Sequence, residues 1–464
     1  MILERIYDPD LAQVAWLVGC QATREALIID PERDIDRYIE VADKHRLKII
    51  GVTETHIHAD FLSGTKELAI ATGATAYLSS HGGEDWSYSW PTSSDVAVQF
   101  VSDKDIISIG NLKVTVIHTP GHTPEHICFL VNDVKTKEPI GCITGDFVFV
   151  GDLGRPDLLE TAAGIVGTMQ ASAEELHGSC ERFMELEDYV QVWPGHGAGS
   201  ACGKALGAVP QSTVGYEKRT SPPLQLVGEE TRFIEYMLAD QPEPPLYFAR
   251  MKQMNRDGVP ILGKMPTPRR VTDASELVVL SSTKTVIDTR PWNEVRDGHL
   301  PNSIWSQANG DFHRFAGSFV SEEEELVFIV SEENLNRALR NAIRIGLDRI
   351  AAWAEPSLLM DVQGLVSMNE ITAKEFESVE NATVLDVRRM PEFADGSIGD
   401  SINIAHTQLF GRLDELDTSV NWVVHCLGGS RSAATCMAMQ RSGFNVTNLA
   451  GGYNGWRQYH NDSN

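Results

Sequence analysis

A chain of 464 residues with 42% apolar content can bury more than one core, and at about 100 to 250 residues per domain it is expected to form two to four units. Its net charge of −26, from 39 basic and 65 acidic residues spread along the sequence, repels nucleic acid and anionic lipid, so neither is expected as a partner. No apolar run approaches the ~18 residues of a membrane span, the start Met1-Ile2-Leu3-Glu4-Arg5-Ile6 lacks the series of a signal peptide, and a cytoplasmic protein is expected.

Val14 to Val18 and Glu25 to Asp30 read as strands, and Ile35, Tyr38, Ile39 and Ala42 mark the apolar face of a short helix. The apolar run Leu47 to Val52 then opens onto Thr55-His56-Ile57-His58-Ala59-Asp60, so three metal-capable side chains are expected on a loop at a sheet edge. Two imidazoles and a carboxylate suit a divalent first-row metal, but spacing alone does not say which of them bind. A helix at Lys66 to Thr72 and strands at Thr75 to Leu78, Asp95 to Val101 and Leu112 to His118 follow.

In Thr119-Pro120-Gly121-His122-Thr123-Pro124-Glu125-His126, proline and glycine force a turn after a strand and aim His122 from its end. Ile140 to Thr144 runs into Gly145-Asp146-Phe147, and Gln191-Val192-Trp193-Pro194-Gly195-His196 repeats the device. Four separate strand ends thus deliver metal-capable residues.

The motifs T-H-I-H-A-D, T-P-G-H-T, T-G-D and W-P-G-H-G, in that order over residues 55 to 197, resemble the metallo-β-lactamase superfold, a four-layer αββα sandwich with its metal site at one edge of the sheets. Most hydrolases of that superfamily carry a histidine after the aspartate as a ligand of a second metal, and here that position is Phe61, which favours one metal. The closer resemblance is to the superfamily's persulfide dioxygenases, mononuclear iron(II) enzymes that also usually carry the histidine Phe61 replaces. It implies His56, His122 and Asp146 as ligands of one Fe(II) per chain, with an open face for a thiolate and O2. His58, Asp60 and His196 are then expected around the ligands, orienting them. Gly154-Arg155-Pro156-Asp157 resembles the family's G-R-x-D stretch, in which an arginine faces the site, so Arg155 is expected to steer an anionic persulfide or stabilise developing sulfite charge, or else to form a surface salt bridge.

Seven cysteines, an odd number without Cys-x-x-Cys pairs, argue against a disulfide framework or a zinc knuckle. Cys202, six residues after His196 in a glycine-rich loop, is expected to hold a persulfide or guard the entrance, with Lys204 lowering its pKa, or else to be an unreactive loop thiol. Proline density rises between about Ser221 and Pro268, which reads as a helix, Glu229 to Leu238, followed by a linker.

Beyond it the chain repeats. Thr285-Val286-Ile287-Asp288-Thr289-Arg290 matches Thr383-Val384-Leu385-Asp386-Val387-Arg388, and Glu294, Gly298 and Ser303-Ile304 pair with Glu392, Gly396 and Ser401-Ile402 at the same offset. Each copy has a further strand, Leu326 to Val330 and Trp422 to His425, followed by a loop and a helix. In the second copy the loop is Cys426-Leu427-Gly428-Gly429-Ser430-Arg431, where backbone N–H groups at a helix start converge on the sulfur. It resembles the active loop of rhodanese sulfurtransferases, with Ala450 to Trp456 downstream. That resemblance implies Cys426 as nucleophile, Arg431 supporting its charge, and Leu427, Gly428, Gly429 and Ser430 cradling substrate. In the first copy Ser331 takes the cysteine's place, followed by Glu332 and Glu333, and a catalytically silent, structural domain is expected.

The expected α/β architecture is therefore a metallo-β-lactamase sandwich (1–245, the iron domain), a linker (246–270), an inactive rhodanese-like domain (271–360) and an active rhodanese domain (361–464). The resemblances imply oxidation of a low-molecular-weight thiol persulfide by O2 to sulfite and free thiol, coupled to sulfur transfer with thiosulfate as product or substrate, in a homo-oligomer. One rival is a zinc thioesterase of the glyoxalase II type, which needs two metals; Phe61 and the rhodanese repeat count against it. The other is a non-catalytic sulfur carrier, for which Asp146→Ala leaves the relay intact.

Overall fold

The strand Gln13–Cys20 sends Val14, Trp16 and Val18 to one face and Ala15 and Leu17 to the other, and both faces are buried. A strand apolar on both sides needs a cover on each, and the first unit supplies it. The computed structural model describes residues 1–93, 95–136, 138–161, 167–200, 202–204, 206–379 and 382–462.

Two six-stranded sheets stack in the first unit. The first runs Ile2–Asp8, Gln13–Cys20, Glu25–Ile29, Lys48–Thr53, Thr75–Ser79, Val98–Val101 in chain order. The second runs Ser212–Thr213, Gln191–Pro194, Pro139–Gly145, Ile127–Asp133, Leu112–His118, Ile106–Ile109. Between them lie Val14, Trp16, Leu27 and Ile29 against Val114, Val116, Phe129 and Trp193, the Trp16 and Trp193 rings 6.0 Å apart. Outside the first sheet, Tyr38 and Ala42 of the helix Asp36–Lys44 and Leu68 of Thr65–Thr72 cover Leu17 and Ile28. Outside the second, Ala173, Leu176, Cys180 and Phe183 recur at helical spacing along Met169–Met184 and cover Cys128, Cys142 and Val192. This is the expected αββα sandwich. Parallel pairing of Pro139–Gly145 with Gln191–Pro194 brings the residues after both strands, Asp146 and His196, to one edge.

Two five-stranded parallel sheets with the same topology make up the second unit. One is ordered Arg269–Val271, Ile350–Ala354, Leu326–Ile329, Thr285–Asp288, Ile304–Trp305; the other Glu370–Ile371, Asn445–Leu449, Asn421–His425, Thr383–Asp386, Ile402–Asn403. The sequence repeat is thus a repeat of strand order.

The chain divides into two compact units, residues 1–241 with 248–264 and residues 242–247 with 265–464. The stretch 246–270 is not a free linker. It holds the helix Tyr247–Asp257, whose Phe248, Met251 and Asn255 are buried at helical spacing. Prolines at 242, 244, 245, 260, 266 and 268 bracket this helix rather than interrupt it, which is why their density reads as a linker.

Candidate functional site

The strand Lys48–Thr53 ends beside Asp30, whose carboxylate accepts from the Thr55 backbone N–H at 2.6 Å and the Thr55 hydroxyl at 2.9 Å. Thr55 Oγ1 lies 2.9 Å from His56 Nδ1, which directs the other ring nitrogen inward. His122 is oriented likewise: its Nδ1 donates to the Arg155 carbonyl at 2.9 Å and its Nε2 lies 3.6 Å from Asp146 Oδ2. Asp146 follows Gly145, which turns at φ 50°; a side chain there would press to 2.5 Å from Thr55 Oγ1. The Asp146 N–H donates to His126 Nε2 at 3.1 Å, and His126 Nδ1 meets Thr119 Oγ1 at 2.8 Å.

The expected ligands therefore come together: donor atoms of His56, His122 and Asp146 lie within 4.8 Å of one another, all three residues buried. Burial pushes Asp146 up to about 6 against the opposing pull of His196, and pushes His122 down to about 4. Burial, with the neighbouring imidazoles, holds His56 well below the usual histidine range. Among the described residues no N–H or O–H donates to either Asp146 oxygen, and the Cys202 thiol is a hydrogen-bond partner of this carboxylate. A buried carboxylate whose one hydrogen-bond donor is a weak thiol, facing two neutral imidazoles, is costly without a cation. The donor set fits a divalent first-row metal, and His56, His122 and Asp146 are the residues that would hold it.

Around them, Asp60 Oδ2 lies 3.3 Å from His196 Nε2, which is 3.5 Å from Asp146 Oδ1. His58 turns away from the three donors: its Nε2 meets Asp30 at 3.1 Å, and although burial opposes the charge, Asp30 raises it to about 9. Phe61 packs its ring 4.4 Å from that of His58, and Asn255 donates at 2.7 Å to the carbonyls of both residues.

Arg155 is 1% exposed; its Nε and Nη2 pair at 2.7 and 2.5 Å with the two oxygens of Asp157, its Nη1 is buried without a hydrogen-bond partner among the described residues, and its carbonyl accepts from His122. One expectation is corrected. Lys204 does not acidify Cys202, because its Nζ donates to the Tyr236 carbonyl at 2.5 Å and its N–H to Asp152. Burial, with Asp146 and Asp60 adding to it, pushes the Cys202 thiol up. Cys202 nevertheless lies with Asp60 and His196, their donor atoms within 4.8 Å of one another.

The sulfur-transfer loop builds from the strand Asn421–His425. Cys426 Sγ accepts the Gly429 N–H at 3.1 Å and faces the Ser432 hydroxyl at 3.6 Å, with Gly429 at φ 100° turning the chain into the helix Ser430–Arg441. Tyr453 and Asn454 N–H groups clamp the carbonyls of Cys426 and Leu427 at 2.7 and 3.0 Å. Gly428 has open space where a side chain would stand, and Leu427 is exposed. Arg431 forks onto Glu392 with two bonds of 2.7 Å; despite partial burial, that pairing lowers the Glu392 carboxyl to about 2. Asp386 and Arg388 pair beneath the loop, with the Arg388 guanidinium 4.1 Å over the Tyr453 ring. In the first copy Ser331 precedes the helix Glu332–Arg344 without a side-chain capping bond and its hydroxyl accepts from Asn334 Nδ2 at 3.0 Å, while Asp288 and Arg290 keep the equivalent pair.

Asp30, His126 and Asn255 escaped the sequence reading as positioning groups. Asp30 reads as the end of a strand, His126 had a motif but no role, and Asn255 acts from 197 positions away.

Residues 8–196 match the Metallo-beta-lactamase superfamily and residues 370–459 the Rhodanese-like domain. The metallo-beta-lactamase from Staphylococcus aureus subsp. aureus COL is similar in structure, with a TM-score of 0.68 and 37% identity over 76% of this chain and 99% of that one. Persulfide dioxygenase ETHE1, mitochondrial, of Bos taurus is 26% identical over 242 residues, 51% of this chain and 80% of that protein. The Beta-lactamase hydrolase-like protein of Xylella fastidiosa (strain 9a5c) is 28% identical over 286 residues, 56% of this chain, and the match spans 61% of its own length. With its donor-bearing strand ends in order and a rhodanese-like domain following, the chain belongs to the metallo-β-lactamase superfamily.

Proposed function

We propose that the chain is a persulfide dioxygenase joined to a sulfurtransferase, with His56, His122 and Asp146 as the ligands of one ferrous ion. The observation that carries this reading is the buried Asp146 carboxylate, without an N–H or O–H donor among the described residues, facing two imidazoles whose far nitrogens are already engaged. The similarity to persulfide dioxygenases over half the chain supports the oxygenase, and the Cys426 loop supports the transferase. A ferrous ion held by these residues would supply the redox chemistry by which dioxygen reacts with a persulfide sulfur.

The chain's own residues orient and shield. Thr55 and the Arg155 carbonyl hold the two imidazoles in one tautomer, His126 pins the Asp146 backbone, and burial of the whole set keeps bulk water out. Overall, one low-molecular-weight persulfide, one dioxygen and one water yield the thiol, sulfite and two protons. At the second site Cys426, as thiolate, takes a sulfane sulfur and passes it to sulfite as thiosulfate, or runs the same exchange in reverse. The Gly429 N–H and Ser432 hydroxyl sit where charge resides on the sulfur. The Ser331 copy lacks a nucleophile and serves as a structural partner.

Oxygen uptake by anaerobically iron-loaded protein given a glutathione or coenzyme A persulfide tests the reading. Thiosulfate from the wild type and sulfite from Cys426→Ser are expected, with oxygen uptake retained in the variant and abolished by Asp146→Ala. Absence of oxygen uptake with iron bound overturns it. Retention of Asp60 and His196 beside Asp146 keeps a zinc thioesterase as the second reading, which requires hydrolysis of acyl-thiol esters without oxygen.

A further inference from the structure

One cavity of the first unit has His122 in its wall and contains a charged side chain that the metal set does not use. Its empty space is about 280 Å³, and Ile57, Ala59, Trp86, Leu158 and Lys252 line it together with His122. Lys252 comes from the helix Tyr247–Asp257, outside the residues 8–196 that match the superfamily. Phe248, Met251 and Asn255 bury one face of that helix, and position 252, one turn beyond 248, stands beside that face. Packing fixes the helix, and Lys252 with it.

The Lys252 ammonium stands 3.9 Å over the Trp86 ring on a half-buried side chain, and among the described residues no carboxylate pairs with it. Four charged groups act on it. Arg256 and Asp257 pair with each other at 2.8 Å, Asp85 is exposed, and Glu125 Oε1 accepts the Ile57 N–H at 2.7 Å. Burial, with Arg256 adding to it, lowers the ammonium from the usual lysine range. The ring face offsets part of the cost of burying that charge, and an anion in the cavity offsets more. Ile57, Ala59 and Leu158 make the intervening walls apolar.

We infer that Lys252 determines which thiol carrier the persulfide site accepts: it takes a carboxylate of the carrier while the sulfur-bearing end faces the His122 side of the cavity. The preferred substrate is then a small persulfide with an aliphatic arm and a carboxylate a few bonds from its sulfur. The cavity falls just below the ~300 Å³ at the small end of ligand pockets, so it admits such an arm and not a nucleotide-sized carrier. The apolar walls suit the methylene groups, and an ammonium, as a point charge, imposes no planar geometry on its partner. No bond to Lys252 is made or broken. The inference rests on the reading of the His56–His122–Asp146 centre as a persulfide site.

A matched pair of carriers, 3-mercaptopropionate and its neutral amide, tests it on the iron-loaded full chain. Anaerobic calorimetry reads binding of the two thiols, and oxygen uptake reads kcat and KM for their persulfides. The carboxylate carrier is expected to bind about tenfold more tightly, the discrimination of one hydrogen bond to a charged group, and to differ from the amide in KM and not in kcat. Lys252→Met, which keeps the aliphatic stem over Trp86, is expected to bring the ratio between the carriers close to one, and Lys252→Arg to restore it. Equal binding of both carriers by the wild type overturns the inference, as does a ratio that survives Lys252→Met. Equal loss of both carriers in Lys252→Met, with no recovery in Lys252→Arg, marks a merely structural lysine and also overturns it. Absence of oxygen uptake from either persulfide, with the charge preference kept in thiol binding, overturns the dioxygenase reading and supports the Lys252 subsite.

Discussion

Asp30 holds the metal loop by three contacts at once: the Thr55 N–H at 2.6 Å, the Thr55 hydroxyl at 2.9 Å and His58 Nε2 at 3.1 Å. It touches no donor of the metal set itself, yet it sets the side chain that orients His56. Groups placed in this way typically change metal affinity about 10- to 100-fold when removed. Asp30→Ala is expected to lower retention of the metal by that factor in competition with a chelator, and unchanged retention would argue that Thr55 is held by the strand alone.

Asn255 makes a comparable contribution from the far end of the unit. Its amide closes the loop by donating to the carbonyls of His58 and Phe61 and accepting from the Ser63 N–H at 2.8 Å. Asn255→Leu leaves three buried backbone groups without partners, at about 1–3 kcal/mol for each that stays dry. A lower melting temperature together with easier metal loss is expected, the two being read by calorimetry and by dialysis. A variant as stable as the wild type, with its metal retained, contradicts this role.

Gly452 sits at φ 54°, and a side chain there would come within 2.3 Å of the Cys426 carbonyl oxygen. Gly452→Ala must move the loop or break the Tyr453 clamp, so a loss of sulfur transfer of at least about tenfold is expected, from roughly 1–3 kcal/mol of strain. Oxygen uptake by the first unit serves as the control. Sulfur transfer at the wild-type rate would show that the loop tolerates displacement.

His406 lies 3% exposed in the second unit, its ring edge-on to Phe315 at 5.9 Å. Burial, assisted by Arg431, Arg314 and Arg389, lowers it to about 3. The folded pKa is depressed below the ordinary ~6.5, so its contribution is present above pH ~6.5 and is lost as pH falls toward 3. At pH 5 the penalty is on the order of 2 kcal/mol. Leucine at this position cannot take up a proton. The melting temperature of His406→Leu is therefore expected to fall less than that of the wild type between pH 7 and pH 5, and equal falls would remove His406 as the cause.

The order of motifs along residues 55–197 and the repeat beyond residue 285 were legible because each is local: a strand, a turn and a donor lie within a few positions. His56, His58, Asp60, His122, Asp146, His196 and Cys426 could be marked as chemistry-bearing in this way, whereas the choice of His56, His122 and Asp146 among them and the αββα layering came from the resemblance to the superfamily. The helix Tyr247–Asp257 was hidden by flanking prolines that mark loops as readily as linkers.

Local pattern thus determined which residues can carry metal and sulfur chemistry, because ligand type and turn chemistry are properties of short segments. Tertiary structure alone decided how their charges are spent. Arg155 Nε and Nη2 go to Asp157, His58 pairs with Asp30 and Lys204 with the Tyr236 carbonyl, while Cys202 is brought to Asp60 and His196. Electrostatic partners are chosen by distance in space and by exclusion of water, and neither is written in sequence spacing.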